Sequence, residues 1–191
     1  DASFKEIIYD IDSDLLQKYN KELSPEEYIC VCSGGTTSSS AKDDLITLDL
    51  RKKYNQIKFN PKNNIVKIGG GVIMKDLLKH LEGFGRIFPS GLSNLPGAGF
   101  ILTGGISPMS RRYGLAIDNI EFIKGYLGNG SYLSLHKDNL NVKDIKIWEG
   151  IRGAAPFFSI ITEIGLKTFS NSPVILFEGF INKKELIELI R

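Results

Sequence analysis

Short stretches of alternating hydrophobic and polar residues run along most of the chain, and helical spacing occurs in fewer places. Alternation, or a short apolar run between turn residues, is typical of β-strands. It predicts strands over residues 28–32, 45–50, 54–59, 64–68, 120–126, 132–135, 159–169 and 174–180. Apolar residues spaced three or four positions apart predict helices over residues 12–19, 74–82, 141–151 and 183–190. We therefore expect a mixed fold of many short elements.

The residues at the ends of these segments refine the prediction. Ser13 or Asp14 can cap the first helix, and Gly83 can end the second. A turn over residues 60–63 separates two of the early strands, and we expect residues 45–68 to form one small sheet. The glycine-containing loop over residues 127–131 predicts a hairpin between the strands on either side of it.

The composition is that of an ordinary globular protein. Of its 191 residues 42% are hydrophobic and 24% are charged, and the formal net charge is only +2. A nearly neutral balance offers no basic surface for nucleic acid, and no run reaches the roughly 18 apolar residues of a membrane-spanning helix. We expect neither a nucleic acid nor a membrane as partner, and a cytoplasmic location; the oligomeric state stays open.

The two cysteines do not indicate a metal site or a disulfide. Cys30 and Cys32 lie two positions apart in a predicted strand, where both point to one face and are poorly placed to bond each other. Both histidines are far away in sequence, so the pair falls short of the roughly four ligands of a zinc site. We expect buried, reduced thiols and no metal.

The first candidate site is a loop that directly follows the strand over residues 28–32. It runs through Ser33-Gly34-Gly35-Thr36-Thr37-Ser38 and has neither helical nor strand periodicity. Backbone N–H groups in a glycine-rich turn can form a concave cradle for a diphosphate, and the hydroxyl groups can add donors. Taken alone, the run also fits a flexible surface linker.

The second candidate site lies in residues 88–113, which are rich in glycine and proline and contain no carboxylate. Gly97-Ala98-Gly99 begins like a dinucleotide-binding fingerprint, and Asp118 lies near the ribose-binding offset. A loop precedes the glycines where that motif needs a strand, and Leu102 replaces its third glycine, so a Rossmann site is not expected. Residues 97–99 and 104–105 fit a flat backbone wall against an aromatic ring, or a glycine-rich helix packed on a sheet.

Other side chains carry weaker signals. Arg111 and Arg112 can stabilise a reduced flavin or contact a substrate, although adjacent arginines in a loop are often only solvated. Trp148, Phe157 and Phe158 are expected in the core.

Several motifs together resemble one family. In order, the chain carries Gly91-Leu92-Ser93, Gly97-Ala98-Gly99, Gly104-Gly105, Ser110-Arg111-Arg112-Tyr113-Gly114-Leu115, Asp118-Asn119 and a run over residues 150–162. Their order and spacing resemble the vanillyl-alcohol oxidase and berberine-bridge-enzyme-like flavoproteins, across roughly residues 28–169. A series of ordered motifs is more specific than a single glycine loop.

The resemblance implies an α+β fold, with a PCMH-type FAD-binding domain made of two α/β subdomains. Residues 1–68 would form the first subdomain, residues 69–170 the second, and residues 171–191 the start of a truncated substrate (cap) domain. It implies that the loop from Ser33 to Ser38 holds the pyrophosphate of FAD. The further cofactor contacts that it implies are Pro89, Gly91, Ser93, Gly97, Ala98, Gly99, Gly104, Gly105, Ser107 and Ile161.

Two departures from the family concern attachment of the cofactor. Members that bind FAD covalently carry a histidine directly after the glycine pair of the first loop and a cysteine two residues beyond the glycine of the second motif. Thr36 and Ser93 occupy these positions here. We therefore expect non-covalent FAD. Cys32 is a third departure, because relatives often have an arginine there.

The family implies a flavin-dependent oxidoreductase that takes a hydride from an alcohol, amine or hydroxy acid and passes electrons to an acceptor. The implied partners are a small-molecule substrate and that electron acceptor, while the catalytic base is not indicated. We expect this chain to bind FAD but to turn over poorly by itself. The alternative is a non-catalytic module that binds a nucleotide or a partner protein.

Overall fold

The computed structural model describes residues 5–24, 26–172 and 179–190. The strands in this part of the chain are β1 (Glu6–Ile8), β2 (Ile29–Cys32), β3 (Ile46–Asp49), β4 (Ile57–Asn60), β5 (Ile65–Gly69), β6 (Arg86–Ile87), β7 (Ile120–Leu127), β8 (Tyr132–His136), β9 (Ser159–Lys167) and β10 (Phe169–Ser170). The α-helices are α1 (Ser13–Glu22), α2 (Met74–Glu82), α3 (Ala98–Leu102), α4 (Ser110–Tyr113), α5 (Val142–Phe158) and α6 (Lys183–Ile190). The α+β class expected from the sequence is confirmed.

A small parallel sheet of three strands, in the order β1-β3-β2, forms the first layer. Helix α1 packs on it through Leu16, which shares an apolar cluster with Leu48 and Leu50. The helix begins after Asp12, whose carboxylate accepts a hydrogen bond from the Leu15 N–H at 2.8 Å. Asp12 is therefore the cap, and the expectation of Ser13 or Asp14 is wrong.

The second layer is a sheet of five strands in the order β4-β5-β9-β7-β8, and all its neighbours are antiparallel. The main core lies between this sheet and helices α2, α3 and α5, with Leu77, Ile101 and Ile151 fully buried in it. A long central strand, β9, joins the β4–β5 hairpin to the β7–β8 hairpin. The hairpin expected around residues 127–131 is confirmed.

The alternation predicts that the strands over residues 45–68 form one small sheet, and this prediction is wrong. β3 pairs in the parallel sheet, whereas β4 and β5 pair in the antiparallel sheet, where Gly69 lies opposite Glu163. Alternation indicates that one face of a strand is buried but does not identify its neighbours. Sheet membership therefore changes between Asp49 and Ile57.

Helix α5 is longer than expected and is interrupted at Arg152 and Gly153, where the backbone leaves helical geometry and Gly153 has φ 127°. Trp148 is buried, and Phe158 packs against the core, as expected. Phe157 is 87% exposed, so its expected burial is wrong. Adjacent residues of a helix point in different directions, and Phe158 already occupies the inward position.

The chain end is described only in part. The expected strand over residues 174–180 lies mostly outside the described residues. The expected helix over residues 183–190 is observed as α6. Among the described residues, no helix combines the length and apolar character needed to cross a membrane.

Candidate cofactor-binding site

The loop after β2 is anchored at its first residue and exposed beyond it. The Ser33 hydroxyl donates to the Gly70 carbonyl at 2.6 Å, which ties the loop to the end of β5. Gly35 has φ 69°, a left-handed conformation that favours glycine. The Thr37 hydroxyl lies 2.9 Å from Ser39 Oγ, and a single 3₁₀ turn over Ser38–Ser40 follows. The loop therefore has a fixed start and a defined bend, rather than the character of a free linker.

Consecutive backbone donors in this loop have no partner in the described parts of the chain. The N–H groups of Gly34, Gly35, Thr36 and Thr37 donate to no carbonyl or side chain there. Gly34 is partly exposed and residues 35–37 are exposed, so these donors are open to a ligand. A row of backbone N–H groups attracts an anion without carrying a full charge. This arrangement suits a diphosphate.

The two glycine-rich segments meet at Gly34 and Gly97. A β-carbon built on Gly34 would lie 2.3 Å from the Gly97 nitrogen, and one built on Gly97 would lie 2.3 Å from the Gly34 nitrogen and from Ser33 Oγ. Gly97 is also paired with Ile73, just before α2. The absence of a side chain at both glycines therefore allows the backbones to touch.

Gly97 to Gly105 combine the two arrangements left open by the sequence. Ala98–Leu102 form the short helix α3, with Gly97 just before its first residue. A β-carbon at Gly99 or Gly104 would have no neighbour within 4 Å, so the backbone presents bare surface at both. Gly105, with φ 75°, instead packs on Ala116, whose Cβ would lie 2.4 Å from an added β-carbon.

The residues around the second motif make mainly internal contacts. The Phe100 ring lies between Gly91 and Gly105, with ring atoms 3.0 Å and 3.1 Å from the positions of their absent β-carbons. Ser93 is exposed, and its hydroxyl accepts from the Leu95 N–H at 3.3 Å. Ser107 is buried, and its hydroxyl accepts from the Met109 N–H at 3.0 Å. Pro89 is buried as well.

A cavity of about 70 Å³ lies where the two sheets and α5 come together. Four of the residues singled out in the sequence line it, namely Ser33, Ala98, Gly99 and Ile161. Ligand pockets typically hold about 300 Å³ or more, so this space can enclose only part of a dinucleotide. The remainder would extend over the exposed loop.

The cavity also contains residues that the sequence analysis did not select, among them Gly70 and Leu50. A β-carbon at Gly70 would lie 2.1 Å from the Ile161 carbonyl oxygen, and its N–H donates to the Thr162 carbonyl. The three consecutive glycines at 69–71 were the available signal. The sequence does not show that these glycines pack against β9, and the structure does.

The charged groups near the second motif have structural partners. Asp118 accepts from the Leu115 N–H at 3.0 Å and pairs with Arg152 at 3.0 Å, next to the interruption of α5. Its carboxylate is therefore used within the protein. Arg111 and Arg112 are exposed and form no ion pair with the described residues. The Arg112 guanidinium lies 5.3 Å from the Tyr113 ring centre.

Both cysteines lie in β2 as buried free thiols, as expected. Cys30 and Cys32 are free and buried, and burial raises the pKa of each thiol. Both are therefore protonated at neutral pH. No group of three or more metal-binding side chains occurs among the residues that the structure describes.

Comparison with known proteins places this geometry in a family. The model of a family described as FAD binding domain matches residues 18–136. The chain is 32% identical over 156 residues to (R)-6-hydroxynicotine oxidase of Paenarthrobacter nicotinovorans. The aligned region covers 80% of this chain and 33% of that protein.

Solved structures show the same fold. The crystal structure of 6-hydroxy-D-nicotine oxidase from Arthrobacter nicotinovorans has a TM-score of 0.75 at 28% identity and covers 86% of this chain and 36% of its own. Glucooligosaccharide oxidase from Acremonium strictum has a TM-score of 0.72 at 21% identity, and the match covers 87% of this chain and 36% of that chain. Its FAD is described as 6-S-cysteinyl and 8α-N1-histidyl.

These matches cover a limited part of the relatives. The chain spans about a third of the length of the oxidases it matches. The family model covers well over half of the chain and includes both the loop after β2 and the second glycine-rich segment. The chain belongs to the FAD binding domain family, within the vanillyl-alcohol oxidase type of FAD-linked oxidases that its motifs resemble.

Proposed function

We propose that this chain is the cofactor-holding part of an oxidoreductase, and that it binds FAD non-covalently between its two glycine-rich segments. The observation that carries the proposal is the row of open N–H groups from Gly34 to Thr37, directly beside Gly97. Family membership supports the identity of the ligand. The substrate would be a small alcohol, amine or hydroxy acid.

The residues on both sides of the contact fit the ligand. The loop after β2 offers backbone donors for the diphosphate, and Gly99 and Gly104 leave bare backbone where a flat ring system or a ribose can approach. The Ser33 hydroxyl donates its hydrogen bond to the Gly70 carbonyl. It therefore positions the loop and does not donate to the ligand.

The protein contributes binding and orientation to the reaction. When bound, the flavin supplies the hydride acceptor. The backbone groups of the two segments would hold a bound dinucleotide from both sides and so orient its reacting ring. The mainly apolar cavity beside Ile161 would shield one part of the ligand from water.

The side chains at the two candidate positions support non-covalent attachment. The FAD of glucooligosaccharide oxidase is described as 6-S-cysteinyl and 8α-N1-histidyl. Thr36 and Ser93 supply neither an imidazole nitrogen nor a thiol. Residues 33–40 and 89–107 contain no histidine or cysteine at all.

The test is reconstitution of the purified chain with FAD. We expect close to one flavin per chain after removal of free ligand, with an absorbance spectrum that shifts relative to free FAD and bleaches on reduction. A chain that binds ADP but has no preference for FAD would support the non-catalytic nucleotide-binding alternative. A chain that retains neither ligand would contradict the proposal.

A further inference from the structure

Arg51 lies beside the loop that follows β2, although it comes from the end of β3. A β-carbon built on Gly71 would lie 2.7 Å from Arg51 Cα and 2.3 Å from the Leu50 carbonyl oxygen. The backbone at Arg51 is therefore packed against the glycines that follow β5. This close contact fixes the point from which the arginine side chain extends.

Asp49 holds one edge of the Arg51 guanidinium. Nε donates to Oδ1 at 2.9 Å and Nη2 donates to Oδ2 at 2.7 Å. The Arg51 backbone N–H also donates to Oδ1, at 3.0 Å. The Asp49 side chain is only 14% exposed, which limits its movement. A planar fork held by two parallel hydrogen bonds has a defined orientation.

The remaining nitrogen, Nη1, points to the loop. It lies 3.3 Å from the position that a β-carbon on Gly35 would occupy, and it donates to no acceptor in the described residues. Gly35 belongs to the row of open N–H groups. Residues 33–41 and 88–110 contain no charged side chain, and Arg51 brings a full positive charge beside this row.

We propose that Arg51 is a cofactor-binding residue whose Nη1 donates to an oxygen of the FAD diphosphate, and that Asp49 is a positioning residue for it. The inference rests on the proposed function, because it needs a diphosphate in the loop. A guanidinium matches phosphate oxygens in geometry and stays charged at any working pH. Neutral backbone donors and one oriented cation together suit a ligand with two negative charges.

The test compares two substitutions one residue apart. Arg51→Met removes the cation at the loop, whereas Lys52→Met removes the same charge from a side chain whose Nζ lies 3.8 Å from the centre of the Tyr9 ring. The dissociation constants of ADP and of FAD are measured for both variants and the unmodified chain, with circular dichroism as the check of folding. We expect Arg51→Met to weaken both ligands about tenfold, as for loss of one charge-assisted hydrogen bond, and Lys52→Met to leave both within about twofold.

A second measurement needs no substitution. The ¹⁵N–¹H signal of the Arg51 guanidinium should shift when ADP is added to the unmodified chain. This measurement decides the matter if Arg51→Met does not fold, and an unchanged signal under saturating ADP overturns the inference.

The outcomes separate the inference from the proposed function. If the unmodified chain binds FAD and Arg51→Met binds it equally well, the inference fails while the proposed function stands. Arg51 then only pairs with Asp49 at the end of β3. If the unmodified chain binds neither FAD nor ADP, both fail together.

Discussion

Gly34 and Gly97 touch through their backbones, although 62 residues separate them in the chain. A β-carbon on either glycine would lie 2.3 Å from the backbone nitrogen of the other. The two backbones can touch because both residues lack that atom. The contact brings the open N–H groups after β2 next to the start of α3. It joins the parallel and antiparallel layers at the place where the cofactor is proposed to bind.

Gly97→Ala should separate these two segments. The backbone at Gly97, with φ −91° and ψ −167°, is open to alanine, so any cost comes from contact with Ser33 and Gly34. Overpacking of this kind typically costs about 1–3 kcal/mol of unfolding free energy. Urea unfolding should show that loss, and a titration with FAD should show weaker binding.

Gly99→Ala is the matched control for stability. An added β-carbon would meet nothing within 4 Å, and the residue lies inside α3, where alanine is favoured over glycine by about 1 kcal/mol. We expect unchanged or slightly higher stability. FAD affinity should nevertheless fall, because the methyl group would occupy the bare surface proposed to face the ligand. Equal FAD affinity in both glycine variants and the unmodified chain would contradict this assignment of the surface.

Glu163 should stabilise the antiparallel sheet in a pH-dependent way. It pairs with Lys67 on β5 and Lys124 on β7, both at 3.0 Å, and its side chain is 14% exposed. Burial alone would raise the pKa of Glu163, but the two lysine ammonium groups beside the carboxylate outweigh it and hold the pKa below its ordinary value. A lowered pKa in the folded state means stability that is present above the unfolded-state pKa and lost as pH falls through the folded one.

Glu163→Gln should therefore cost about 1 kcal/mol at pH 7, since the lysines are partly solvated, and this difference should shrink below about pH 4. Urea unfolding at several pH values measures it. Glu22→Gln is the control, because Glu22 lies 3.9 Å from Lys18 and both side chains are more than half exposed. A Glu163→Gln deficit that is unchanged at pH 3 would rule out the ion pairs as its source.

The elements themselves were largely predictable from the sequence, because amphipathic spacing reports burial directly. α2 spans the residues that its leucines indicate, and the β7–β8 hairpin follows from the turn around Gly128 and Gly130. The parallel strand β1 was missed, since three residues are too few to show a period. The β6–β10 pair, of two residues each, escaped for the same reason.

The site was predictable as two segments but not as an assembly. Repeated glycines mark places where backbones approach, but not which backbones, so Gly70 was not connected with Ile161. Arg51 was not selected either, because the Gly35 loop becomes its neighbour only through the parallel pairing of β2 with β3. Long-range strand pairing supplies this information, and local patterns do not contain it.

The flavin should leave the protein on denaturation. Because Thr36 and Ser93 replace the two attachment side chains, acid precipitation of the FAD-loaded chain should release all flavin to the supernatant. The mass of the denatured chain should equal that of the polypeptide alone. Yellow colour or a mass increase retained on the unfolded chain would contradict non-covalent binding.

The most direct test of the central claim is a backbone amide NMR titration of the ¹⁵N-labelled chain with ADP. If the open N–H groups after β2 hold the diphosphate, the largest shifts will fall on Gly34, Gly35, Thr36 and Thr37, with smaller ones at Gly97 and Ala98. Shifts confined to other surfaces, such as the outer strands around Phe122 and His136, or no shifts at saturating ADP, would contradict the account.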